Sequence, residues 1–90
     1  MADGSTESVA AWMLYEMDRR GRLYSAGAAD EIDRSHGPPL VGYDEEGAPF
    51  LKPPVIEAFR ALAGDGVVWS MGGRFWRRRE PGDRPGRDQR

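Results

Sequence analysis

Glycine and proline close nearly every apolar-patterned segment of this chain, and that punctuation limits what it can build. Gly21, the run Gly37-Pro38-Pro39, Gly47, the pair Pro53-Pro54, Gly64 and the pair Gly72-Gly73 divide the sequence into short pieces. Between these breaks the apolar spacing switches from helical to extended, so short helices and short strands on one core are expected. With 90 residues the core is thin, and a single domain is expected. Three Trp, three Tyr and three Phe then supply much of its burial, each ring covering roughly 150–250 Å².

Ser5-Thr6-Glu7 offers capping hydroxyls and a first-turn acid. Val9, Trp12, Met13 and Met17 follow at helical spacing, widened by Leu14 and Tyr15, and Gly21 is a natural stop. This predicts a helix over Thr6–Arg20. Arg22-Leu23-Tyr24 allows only a single short strand. Ser25 is placed to cap a second helix, with Ala28, Ala29 and Ile32 as its apolar face, ended by Gly37 and the prolines. Residues 40–51 read as a hairpin closed by Asp44-Glu45-Glu46-Gly47, with an irregular loop as the competing reading. Pro53-Pro54 opens a third helix whose buried stripe is Val55, Ile56, Phe59 and Leu62. Val67–Ser70 and Arg74–Arg77 are strands, and Gly72-Gly73 as a two-residue turn sets Trp69 opposite Trp76.

This order predicts an α+β, winged-helix-like fold: three helices and a C-terminal β-hairpin as the wing. An extra hairpin between helices two and three departs from that plan. Residues 1–80 form the expected domain. Residues 81–90 contain no apolar side chain apart from proline, so a flexible, Arg-rich tail is expected. The pattern Val9-x-x-Trp12-Met13, Gly21-x-Leu23-Tyr24, Ala28-Ala29-x-x-Ile32, Val67-Val68-Trp69, Arg74-x-Trp76-Arg77-x-Arg79 and Gly82-Asp83-x-Pro85-Gly86-Arg87 resembles a family of small bacterial proteins of unknown function. The resemblance spans about residues 6–89. It implies a free-standing small protein and brings no activity, ligand or catalytic residue.

Little in the sequence points to catalysis. There is no cysteine, which removes disulfides, thiolate zinc sites and a thiol nucleophile. His36, the single histidine, has no second His or Cys to complete a metal or base constellation, and suits the end of a helix. The acids Asp30, Glu31 and Asp33, and likewise Asp44, Glu45 and Glu46, lack calcium-loop spacing and read as solvated surface. Ser25, Ser35 and Ser70 have no base in a recognisable motif. The glycines lack phosphate-loop spacing and read as turns. No enzymatic role, no cofactor, no metal and no small-molecule substrate is expected. A secretory signal and an apolar span of membrane length are also missing, so a cytoplasmic protein is expected.

Charge is the informative feature. Residues 1–73 carry 12 acidic and 6 basic side chains, net −6, whereas residues 74–90 carry 3 and 7, net +4. Arg74, Arg77, Arg78, Arg79, Arg84 and Arg87 are the candidate contacts, with Phe75 and Trp76 interleaved. Arginines on a wing can meet phosphates, and aromatics can stack on bases. Alternatively the aromatics are core and the arginines pair with the acidic body. The third helix offers only Glu57 and Arg60 as polar readers, which argues against sequence-specific DNA recognition. A protein-binding interaction or regulatory module is therefore expected, with weak, largely non-specific nucleic-acid binding as the alternative.

Overall fold

The computed structural model describes residues 5–37 and 39–89. The stop assigned to Pro38, the cap assigned to the Ser5 side chain and the tail's last residue, Arg90, lie outside what is described. Helix α1 spans Ser5–Arg20, and Val9, Ala10, Met13 and Met17 on one face are buried. Gly21 ends it at φ +88°, its amide donating to the Met17 carbonyl at 2.8 Å, as a left-handed stop requires. Glu16 is buried on the same helix, and Arg19 and Arg20 each reach it at 2.8 Å. Tyr15, expected in the stripe, is 62% exposed.

Strand β1, Leu23–Tyr24, runs straight into helix α2, Ser25–Ser35. Ala28, Ala29 and Ile32 are buried as their spacing predicts. Ser25 is the first helical residue and not the cap; Tyr24 holds that position and gives no side-chain hydrogen bond. The hairpin at residues 40–51 is present, as β2 Val41–Tyr43 and β3 Pro49–Leu51. Asp44 builds its turn: one carboxylate oxygen accepts from the amides of Glu46 and Ala48, both at 2.9 Å. Gly42 pairs with Phe50, and a Cβ at position 42 would run into the Phe50 ring, so the ring lies flat across its partner strand. The Tyr43 hydroxyl donates to Asp33, fastening the hairpin to α2.

Helix α3, Pro53–Ala63, packs on α1 and buries Val55 and Phe59. Ile56 is partly buried, but Leu62 is 52% exposed. The face turned to the core runs along Val55, Phe59 and Ala63, one residue past the expected Leu62. After a turn of 3₁₀ helix at Gly64–Gly66 come β4, Val67–Ser70, and β5, Phe75–Arg78. The register sets Trp69 opposite Trp76 as expected, although the connection is not a two-residue glycine turn. Pairing stops at Ser70 and Phe75, and the amide of Arg74 donates to the Ser70 carbonyl at 2.8 Å. Arg74, not a glycine, carries the left-handed conformation, at φ +59°. Gly73 is needed for a different reason: a Cβ there would collide with the Phe75 ring.

The expectation of a free tail is corrected for residues 81–89. After β5 the chain crosses β4 and adds β6, Asp88–Gln89, parallel to β4 on its other edge. The sheet order is β1-β5-β4-β6. Arg87 and Gln89 offer carbonyls to the amides of Trp69 and Met71 at 2.6 and 2.7 Å. Composition missed this strap because backbone hydrogen bonds hold it, not apolar burial. Among the described residues the result is an α+β fold of three α-helices, a four-stranded mixed sheet and a separate two-stranded hairpin. No described helix is long and apolar enough to cross a membrane.

Trp76 sits where these parts meet. It lies between Leu23 of β1 and Trp69 of β4 in the sheet, and edge-on to Phe59 of α3, centroids 5.1 Å apart. Trp76→Ala should cost about 3–5 kcal/mol, a large part of the stability of a domain this small. Leu62→Ala should stay within about 0.5 kcal/mol. Urea denaturation followed by far-UV circular dichroism checks both; equal effects would refute this assignment of the core.

Candidate interaction surface

Strand alternation decides where the C-terminal arginines go. Trp76 faces the helices, so Phe75 and Arg77 face the other way. Arg77 makes a two-pronged contact with Asp83 of the strap, at 2.9 and 2.8 Å, and lies within 3.8 Å of Glu80. Arg78 makes a second one with Asp18 of α1, at 2.8 and 2.7 Å. Arg79 meets only carbonyl oxygens: Asp65 at 2.8 Å, Arg84 at 3.1 Å and Gly86 at 2.6 Å. One guanidinium thereby ties the turn before β4 to the strap. Arg84 and Arg87 enter through their backbones. Gln89 brackets Arg84, accepting from its amide at 3.1 Å and donating to its carbonyl at 2.7 Å. Phe75 stacks within the chain as well, under the Arg22 guanidinium at 4.5 Å and against Tyr24 at 5.2 Å.

Arg77, Arg78 and Arg79 are therefore committed to the fold. Arg74 differs. Its carbonyl accepts from Ser25 at 3.1 Å, but its exposed side chain meets no carboxylate among the described residues. It stands on the rim of an open groove of about 600 Å³ between the β2–β3 hairpin, the first half of α3 and the wing. Tyr24, Phe50, Ile56, Trp69 and Trp76 line it, with Arg60 and Asp44 also on its walls. Tyr24 and Phe50 are about half exposed, at 50% and 48%. Trp76, on the floor, carries an indole N–H that is buried without an acceptor. Sequence reasoning missed this groove because its walls come from four separate segments. The usable signal was Phe50 opposite Gly42, a large ring beside a residue with no side chain.

The serine candidates are bonded within the chain. Ser35 Oγ lies 2.8 Å from His36 Nδ1, but the hydroxyl donates to the Glu31 carbonyl at 3.0 Å. The Glu31 carbonyl thus competes with the imidazole for the hydroxyl proton. Ser70 is buried, and its hydroxyl accepts from the Gly73 amide at 3.4 Å. Among the described residues no three His, Asp or Glu side chains are gathered to hold a metal.

The strap is acid-sensitive through Asp83. The Arg77 hydrogen bonds, then the Glu80 amide at 2.7 Å, lower its pKa from 3.8 to about 2. A carboxyl whose folded pKa is depressed stabilises the fold above its ordinary value and loses that contribution as pH falls through the folded one. Acid titration of stability should show a component lost between 3.8 and about 2, and Asp83→Asn should remove it. An unchanged acid limb in Asp83→Asn would mean that the Arg77–Asp83 pair is not formed in solution.

Neither the curated proteins nor the solved structures yield a match to this sequence. Residues 5–78 match a family model. That span runs from the first described residue of α1 to the last of β5, taking in the groove but not the strap. The chain belongs to the family of unknown function DUF6953.

Proposed function

We propose that this protein is a non-enzymatic interaction module, winged-helix-like in plan, that binds a protein partner through the groove between its inserted hairpin and its wing. The plan rests on chain order and pairing. Helix, strand, two further helices and a two-stranded wing follow in turn, with β1 added to the second wing strand. The β2–β3 hairpin is the insertion. We take the cytoplasm as its location within the same proposal.

The observation that carries the reading is the unequal use of aromatic and basic side chains. Arg77, Arg78 and Arg79 spend their donors on the chain's own carboxylates and carbonyls, which leaves little for phosphates. Meanwhile Tyr24 and Phe50 stay half exposed around a concave, aromatic floor. Aromatic side chains and arginine dominate binding energy at protein interfaces. The acidic body also repels a nucleic-acid backbone.

Anisotropy titration of the purified chain with duplex and single-stranded DNA tests this first. Affinity should be no tighter than about 10⁻⁵ M at physiological salt, the non-specific range. Capture from the native host should retain a protein after nuclease treatment and lose it with Phe50→Asp, at unchanged melting temperature. Tight DNA binding abolished by Arg74→Glu with Arg84→Glu, in a folded protein, would reverse the assignment.

A further inference from the structure

The groove is asymmetric in charge, and that asymmetry says what kind of segment fits it. Its floor and one wall are apolar, formed by Ile56, Phe50 and the two tryptophans. Its basic side chains are Arg74, on the wing, and Arg60, on α3. Arg60 has one carboxylate nearby, Asp88, at the long distance of 4.0 Å, and Arg74 has none among the described residues. Asp44 is the acidic lining residue, and two backbone amides occupy one of its carboxylate oxygens.

Arg74 stands at φ +59°, a conformation that glycine adopts freely and other residues adopt at a cost. Two glycines precede it and neither takes that conformation. The backbone thus keeps a long cation at a position where its own fold favours glycine. That cation overhangs an apolar groove.

Resting on the reading of this chain as a protein-binding module, we infer that the groove takes an acidic linear segment of a partner protein. An apolar side chain of that segment seats on Ile56, Phe50 and Trp69. An adjacent Asp or Glu carboxylate pairs with Arg74, with Arg60 as the second cation. Guanidinium–carboxylate pairing is planar and two-pronged, so it fixes direction as well as charge.

The test is selection of a random peptide library on the full-length folded protein, followed by anisotropy with the recovered peptides. Recovered sequences should place Asp or Glu beside Leu, Ile, Phe or Trp. Replacing the peptide carboxylates by amides should weaken binding by about tenfold or more, and so should Arg74→Gln or Phe50→Ser. Arg74→Gly is the sharper variant: it relieves the backbone, so the melting temperature should hold or rise while binding falls by the same factor. Peptides without acidic residues, still displaced by Phe50→Ser, would overturn the charge assignment and leave the interaction module standing. Acidic peptides indifferent to both variants would place the site elsewhere and overturn the groove. Concentration-dependent self-association broken by Phe50→Ser would make a second copy the occupant and overturn the partner segment. A library that yields no binder refutes the inference, and together with tight DNA binding lost in Arg74→Gln it removes the underlying reading too.

Discussion

The fold depends on the burial of one indole. Trp76 is 4% exposed and lies 4.7 Å from Trp69 and 5.1 Å from Phe59, ring centre to ring centre. Trp69 fixes the register of the wing, Leu23 ties β1 into the same sheet, and Phe59 anchors α3 against it. A core this thin has few large side chains to share that work. The arrangement also shapes the surface, because both tryptophans line the groove.

The chain's charge division resolves within the molecule. A basic C-terminal stretch suggests a polycation in search of phosphate, yet its arginines close distances in the fold. Arg78 reaches back to Asp18 in α1, and Arg77 holds Asp83. Arg79 gathers three carbonyls, those of Asp65, Arg84 and Gly86, and Gln89 donates to the latter two as well. The exposed pair with Asp18 is worth little energetically. The Arg79 contacts matter more for geometry, since they hold a strap that lacks apolar residues against a sheet edge that would otherwise stay open.

Much of the architecture was legible because punctuation and periodicity agreed. Gly21 and Gly64 end helices where the apolar spacing ends, and Asp44 with Gly47 turns the hairpin. The Trp69–Trp76 pairing followed from symmetry about Gly72-Gly73, even though Arg74 takes the left-handed position. Errors arose where the sequence gives a stripe its width but not its centre. Tyr15 and Leu62 fit helical spacing, yet α1 and α3 meet along narrower faces and leave both in solvent. The strap was illegible for a deeper reason. Its partners are the backbone amides of β4 and the guanidinium groups of Arg77 and Arg79, which meet its carboxylate and carbonyls, and an apolar side-chain pattern records none of these. The groove was hidden likewise, since Tyr24, Phe50, Ile56 and Arg74 come together only through the packing of α2, α3 and the wing.

The central claim is that the Arg-rich end is part of the fold, not a free cationic tail. Amide hydrogen exchange at Trp69 and Met71 tests it most directly, because these two amides point at the strap carbonyls of Arg87 and Gln89. The account predicts that both exchange far more slowly than unprotected amides and lose that protection in Arg79→Ala. Exchange of both at the rate of an unpaired edge strand in the intact protein, with the rest of β4 protected, would contradict it.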